Sequence, residues 1–476
     1  MKCHSSVEQS ERGESDGNVG ATGWVGAGGF IRSSARLRLA KDDTFNRGGS
    51  VELQWRITLY PVTVHAQPGI LAFPEARRAV EEQARTLHPG PAELAALPRS
   101  RGRVLAEDIV ADRDFPPFPR ATRDGYALHS ADLAALPATL NVIGEVRAGS
   151  SLAGGLLARG EAAEIMTGAP VPEGADAVVM LEYTARQGAS VEVRRAVAAG
   201  ENLVPTGSEA RAGQLLLPRG TRMGFAEIAV AAGVGKAQMS IYGAPRVGIL
   251  STGDELVDVD AHPGPHQIRN SNSYSLAAQV EAAGAEPVRL PIAPDDPVVL
   301  KHLIEAGLAL HLLLLTGGVS MGKYDLVEQV LAQFDAEFFF TGAQIQPGRP
   351  VVFGRARSAP GAETATYFFG LPGNPVSTMV TFEIFVRPLL DALCGAPPGK
   401  LRFLQARLGA EVRTKTGLTR FLPAQLSGEV DRTEVELVRW QGSGDVAAMA
   451  RANCFLVVPP DRERLAAGEL VSVLLR

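Results

Sequence analysis

The spacing of apolar positions divides the chain into segments of different period. Residues 1–65 are rich in Gly, Ser, Arg and Glu and show little periodic apolar pattern. Such a segment cannot offset its ordering entropy, so 1–65 is expected to be a disordered tail or an over-extended start, although Val51–Val64 has the composition of an isolated strand. Order is expected from about Ile70. Phe73, Ala76, Val80, Ala84 and Leu87 recur at helical spacing, and His88-Pro89-Gly90-Pro91 stops the run. Val104–Ile109 reads as a strand or short helix, and Phe115-Pro116-Pro117-Phe118-Pro119 cannot be a central strand. Between Tyr126 and Pro205, short β-type runs (Leu140–Val146, Ala175–Leu181, Val191–Val197) are separated by Gly and Pro, the pattern of a small all-β unit. Ala210–Gly235 reads as helix.

The period then changes to alternation of strand and helix. Strands are expected at Val247–Leu250, Glu286–Leu290, His311–Leu315, Glu337–Phe340, Val351–Phe353 and Thr366–Phe369. Helices are expected at Ser271–Ala283, from the cap Asp295-Asp296-Pro297 to Ala306, at Tyr324–Gln333 and at Pro375–Leu393. This alternation predicts a parallel, doubly wound sheet. The tail, Leu401–Arg476, returns to short β runs (Phe403–Leu408, Thr433–Arg439, Cys454–Val458, Leu470–Leu474) and predicts a small barrel or sandwich. The fold class is therefore multidomain α/β plus β.

Composition narrows the function classes. The length of 476 residues exceeds one core and implies several domains. A formal net charge of -5 offers nucleic acid no bulk attraction, so an anion site must be built locally. Cys3, Cys394 and Cys454 fit neither a zinc motif nor a disulfide framework. With no apolar run of membrane-spanning length and no secretory signal, the cytoplasm is the expected compartment.

Candidate chemistry sits at the carboxyl ends of three predicted strands, where open α/β sheets bind ligands. Ser251-Thr252-Gly253-Asp254-Glu255 follows the first. Thr316-Gly317-Gly318-Val319-Ser320-Met321-Gly322-Lys323-Tyr324-Asp325 follows the third. Gly370-Leu371-Pro372-Gly373-Asn374-Pro375-Val376-Ser377 follows the last. Glycines let backbone N–H groups approach an anion, and Asp254, Glu255 and Asp325 suit a hard cation beside a phosphate. A phosphorylated small molecule with a divalent ion is the ligand this describes. The alternative is that the glycines turn the chain and the acids cap helices.

These loops resemble the molybdopterin-binding domain of the molybdopterin molybdotransferases, a family that includes the gephyrin E domain. Arg123-Asp124-Gly125-Tyr126-Ala127 and Thr167-Gly168-Ala169-Pro170-Val171-Pro172 resemble further motifs of that family, and the likeness runs from about Ile70 to Arg476. It implies a helical linker domain (70–111 and 208–243), an inserted β domain (112–207), a molybdopterin-binding α/β domain (244–395) and a C-terminal β-barrel (400–476). It implies a homodimer whose active site lies between the α/β domain of one chain and the β domain of the other. The reaction implied is insertion of molybdate into adenylylated molybdopterin with release of AMP, assisted by Mg²⁺. Asp124, Asp254 and Asp325 are then the catalytic acids, and Asp254 and Asp325 the metal ligands. Thr167, Thr252, Gly253, Glu255, Gly317, Gly318, Ser320, Pro372, Gly373, Asn374 and Ser377 contact the substrate, with Arg349, Arg420 and Ser443 as further donors to the oxyanion. Implied partners are a molybdopterin adenylyltransferase and molybdoenzymes. Relatives commonly carry Lys where Gln346 stands, so weaker molybdate binding is expected, with Gln346→Lys restoring it. Arg420 also reads as a solvated surface charge, Arg349 as a surface residue that follows a Pro-Gly turn, and Asp124 and Thr167 as turn residues. Two other functions remain open: molybdopterin adenylylation, and a non-catalytic molybdopterin-binding scaffold.

Overall fold

The computed structural model describes residues 18–21, 33–36 and 69–476, apart from 319–325, 359–363 and 431. The chain divides into two units, Met1–Pro68 and Gly69–Arg476. In the first, Asn18–Ala21 pairs antiparallel with Ser33–Arg36. The rest of the extension, including the expected strand Val51–Val64, lies outside the described residues.

The second unit is built around a six-stranded sheet. Glu286–Arg289, Arg246–Ser251, Leu312–Thr316 and Ala365–Leu371 pair in parallel, in that spatial order. Val352–Arg357 and Glu337–Phe340 complete the sheet antiparallel, which corrects the expectation of parallel pairing throughout. Residues 358–364 are too short a connection for a crossover, so the chain turns back on itself. The apolar strands are covered on both faces. Leu312 and Leu314 enter one core with Val247, Ile249 and Phe369, while Leu313 and Leu315 enter the other with Leu300, Ile304 and Phe368. Period-two alternation thus sends successive leucines to opposite layers. The helices Ser271–Ala282, Pro297–Leu308 and Leu326–Leu331 flank the sheet, and Asn270 and Asp296 cap the first two through side-chain oxygens. The expected Pro375–Leu393 helix is interrupted by a π-helical segment, Phe382–Val386.

A second six-stranded sheet, from Gly125–Leu128 to Ser190–Val193, forms the predicted β unit with apolar layers on both faces. Toward the C-terminus, Thr419–Ser427, Cys454–Val458, Leu470–Leu475, Phe403–Leu408 and Glu434–Leu437 pair in a closed ring. The tail is therefore a barrel rather than a sandwich.

Ala210–Gly235 is not one helix. Leu215–Leu217 pairs with Ile109–Val110, and the helix covers only Phe225–Gly233. Pro218 and a left-handed Gly220 (φ 88°) separate the two. Within Val104–Ile109, Val104 and Leu105 make isolated bridges instead of a helix.

Candidate functional site

Three strand ends converge on a cradle. The Thr252 N–H donates to the Thr316 carbonyl at 3.0 Å, and the Gly253 N–H to the Ala293 carbonyl at 3.1 Å. The loop after Leu312–Thr316 passes so close to Thr252 that a Cβ on Gly317 would lie 2.4 Å from the Thr252 carbonyl oxygen, and one on Gly318 2.7 Å from its Oγ1. Both glycines have positive φ, 87° and 59°. Only a residue without Cβ satisfies both conditions at Gly317. The third loop follows Ala365–Leu371, where a Cβ on Gly373 would lie 3.6 Å from the Gly317 Cα. The predicted residues Thr252, Gly253, Gly317, Gly318 and Gly373 are therefore brought together.

Asn272 ties the loops to one another. Its Nδ2 donates to Thr316 Oγ1 at 2.9 Å and to the Gly373 carbonyl at 2.7 Å. Thr316 and Thr378 also donate to the Pro372 carbonyl. Two polar atoms in the cradle, Thr252 Oγ1 and Asn272 Oδ1, are buried with no partner among the described residues. An unsatisfied buried acceptor costs about 1–3 kcal/mol, so such atoms mark places where a further hydrogen bond belongs.

Acids collect at the cradle's edge. Asp254 and Glu255 are exposed, and the Asp295 N–H donates to Asp254 Oδ1 at 3.1 Å. Burial, then the charges of Asp254 and Glu255, push the Asp295 carboxyl above its usual value. Such a cluster fits a hard cation that takes its remaining oxygens from phosphate and water. No group of three His, Cys, Asp or Glu is placed to enclose a metal among the described residues. Asp325 and Ser320, assigned to this loop from the sequence, lie outside them.

The segment 372–377 runs from the cradle to a second cluster. Asn374 opens the Pro375–Thr381 helix without a side-chain capping bond. The Val376 N–H donates to the Ser443 carbonyl at 2.9 Å, and Ser377 is buried. A Cβ on Gly348 would lie 3.6 Å from the Ser377 carbonyl, placing the Gln346–Gly348 turn beside that helix. Ile345–Gln346 pairs with the barrel strand Thr419–Ser427, setting Gln346 opposite Arg420. Arg420 is 6 % exposed, which removes its reading as a solvated surface charge. Its Nε donates to Gln346 Oε1 at 2.9 Å and its Nη1 to the Leu418 carbonyl at 3.1 Å. No carboxylate pairs with it among the described residues, and burial lowers its pKa. A guanidinium taken out of water without a counter-charge is expensive unless an anion joins it. Arg349, by contrast, is exposed.

Asp124 and Thr167 meet beside the second sheet, just before Gly125–Leu128 and just after Glu161–Ile165. The Thr167 N–H and Oγ1 both donate to Asp124 Oδ1, at 2.7 and 2.9 Å. These bonds hold the Asp124 carboxyl below its usual value. Gly125 beside it admits no side chain, since a Cβ would overlap the Val179 carbonyl. No hydrogen bond joins Asp124 or Thr167 to the cradle among the described residues.

Residues 71–235 match the MoeA N-terminal region (domain I and II), 248–392 the probable molybdopterin binding domain, and 405–475 the MoeA C-terminal region (domain IV). The chain belongs to the MoeA family. It is 34 % identical over 389 residues to the molybdopterin molybdenumtransferase of Nostoc sp., covering 80 % of this chain and 88 % of that one. It is 32 % identical over 427 residues to molybdopterin molybdenumtransferase 1 of Mycobacterium tuberculosis, covering 83 % and 98 %. The molybdopterin biosynthesis MoeA protein of Pyrococcus horikoshii has a similar structure, with TM-score 0.67, 29 % identity and coverage of 86 % and 100 %.

All three strand-end loops of this MoeA chain fall inside the region matching the molybdopterin binding domain. Sequence reading missed Asn272 and Asp295. Asn272 lies in a segment read only as helix, and Asp295 in one read only as a cap. The signal available was Arg269-Asn270-Ser271-Asn272, a polar run at a helix start directly after a strand.

Proposed function

We propose that this MoeA-family chain is a molybdopterin molybdotransferase that inserts molybdate into adenylylated molybdopterin and releases AMP. The observation that carries the reading is the cradle. Left-handed glycines and two polar atoms without a partner among the described residues lie at the ends of adjacent parallel strands, inside the region matching the molybdopterin binding domain. The backbone around Gly317, Gly318 and Gly373 binds the phosphorylated pterin, with Thr252 and Asn272 offering one hydroxyl and one amide oxygen. Asp254 and the acids beside it suit Mg²⁺, with Asp325 as second ligand by family likeness; Mg²⁺ offsets phosphate charge and polarises the scissile linkage. Arg420, Ser377 and Ser443 hold the oxyanion substrate, and Arg349 adds an exposed charge at its approach. The cytoplasm is the proposed compartment.

Asp124 belongs to the same site through a homodimer. It is exposed, and among the described residues its carboxylate is bonded only to Thr167 and makes no hydrogen bond to the cradle of its own chain. An ionised carboxylate held below its usual value suits orientation of a water or of the metal shell. Mixing Asp124→Ala chains with Asp325→Ala chains under subunit exchange is expected to restore part of the lost activity, because some heterodimers hold one intact site. Mixtures as inactive as either parent would place the site within one chain.

The reading is tested by single turnover with adenylylated molybdopterin, molybdate and Mg²⁺. AMP release that depends on molybdate, with metal retained on the dithiolene, is expected. Adenylylation of molybdopterin from ATP would make the chain an adenylyltransferase, and binding without turnover would make it a scaffold.

A further inference from the structure

The geometry points to Arg222 as a positioning residue for the reaction: its guanidinium clasps the linker domain to the far ends of the two helices that frame the cradle. Arg222 bridges to Val104 in the linker strands, where Leu105, Ile109, Met223, Met239 and Ile241 belong to a small core of their own. From there its side chain reaches the α/β domain. Its Nη1 donates to the Gly102 carbonyl at 2.7 Å within the linker domain and to the Ala283 carbonyl at 2.8 Å outside it. Its Nη2 donates to Asp391 Oδ1 at 2.9 Å. Ala283 caps the carboxyl end of Ser271–Ala282, and Asp391 lies in the last turn of Arg387–Leu393. Both places lie at the negative end of a helix dipole, where a cation is favoured. Asp391 is also buried, and a buried carboxylate in a last turn is costly without a cation; Arg387 supplies a second one at 3.1 Å. Glycines let the partners meet. Gly284 and Gly395 close the two helices with φ of 87°. A Cβ on Gly284 would lie 2.7 Å from both Arg222 Nη1 and the Gly102 carbonyl oxygen, and one on Gly395 2.2 Å from Tyr242 Cδ2.

The amino ends of the same helices lie at the cradle. Asn272 is in the first turn of Ser271–Ala282, and Asn374 opens Pro375–Thr381, which continues through Phe382–Val386 into Arg387–Leu393. The linker domain in turn carries the β unit, which the chain enters after Ile109–Val110 and leaves before Leu215–Leu217, two strands that pair with each other. Arg222 thus registers the β unit, and with it Asp124, against rigid rods that start at the cradle. The positioning role rests on the reading of Asp124 as part of the site; the clasp itself does not.

The test compares Arg222→Met, Arg222→Lys and Asp124→Ala with the native full chain. It measures kcat and KM for insertion, the Kd for adenylylated molybdopterin, and a spin-label distance from the β unit to the α/β domain. The labels go on Gln187→Cys and Glu305→Cys, both exposed, with Cys3→Ser and the buried Cys394 and Cys454 left in place. Labelled chains are mixed with an excess of unlabelled chain, so that distances within one protomer are read. Arg222→Met is expected to broaden the distance distribution and to lower kcat roughly ten- to a hundredfold, the scale of a misplacement by about 1 Å, with the Kd unchanged. Arg222→Lys keeps a charge beside Asp391 but has one nitrogen for three acceptors, so it is expected to fall between; it carries the test if Arg222→Met does not fold. A native distance distribution overturns the clasp. A Kd that weakens as far as kcat falls overturns the inference by making Arg222 a support of the cradle alone. A broadened distribution with native kcat overturns the positioning role while Asp124→Ala is inactive; if Asp124→Ala is active as well, the reading of Asp124 falls instead.

Discussion

The cradle and the Arg420 cluster, the two proposed anion sites, are built by opposite means and joined by residues 372–377. The cradle is neutral and made of backbone: glycines that admit close approach, carbonyls pinned by Asn272, and a sheet buried on both faces beneath it. The second cluster is one buried charge on a barrel strand, held by an amide and a carbonyl. The contrast suits two different ligands. A large phosphorylated molecule takes many weak backbone contacts. A small compact dianion needs a charge-assisted donor, because few contacts fit around it.

The comparison breaks most visibly at Arg420. Arg420→Ala is expected to raise half-saturating molybdate by about 10- to 100-fold, the cost of losing a charged donor from a desolvated site. Gly317→Ala is the corresponding lesion of the cradle. Its Cβ would meet the Thr252 carbonyl at 2.4 Å in a left-handed conformation, so a stability loss of roughly 1–3 kcal/mol is expected, read as a lower denaturant midpoint.

A smaller effect sharpens the account of Asp124, which stands outside both clusters. Asp124 accepts two bonds from Thr167, and its folded pKa is lowered, so it stays ionised as pH falls through the ordinary carboxylate range. Thr167→Val removes the hydroxyl and keeps the N–H, so the Asp124 pKa rises part of the way back. The acidic limb of the pH–rate profile is expected to move to higher pH, with the plateau retained. An unmoved limb would detach Asp124 ionisation from turnover. Smallest of all, deletion of residues 1–65 is expected to leave insertion and thermal unfolding unchanged.

The strand ends were legible because period-two and period-3.6 patterns flank them, and because glycine-rich turns after buried strands have few other uses. The antiparallel edge was not legible, since the run Val351–Phe353 is as apolar as its parallel neighbours and only connection length distinguishes it. Thr419–Ser427 escaped reading because Pro423 and Arg420 interrupt its apolar pattern, although it contributes pairings on both sides of the closed barrel. Arg420 and Arg349 look alike in sequence. What separates them is burial, which depends on a barrel wall formed by residues far along the chain. Asn272 was missed for a similar reason: its partners, Thr316 and Gly373, come from loops distant in sequence.

The central claim is a division of labour, with the cradle holding the pterin and Arg420 the oxyanion. It is tested by measuring two quantities in both variants: the dissociation constant for adenylylated molybdopterin, and half-saturating molybdate at saturating pterin and Mg²⁺. The account predicts a split, with Gly317→Ala raising the first and leaving the second near native, and Arg420→Ala doing the reverse. Equal movement of both quantities in both variants would contradict it and make the two clusters a single undivided site.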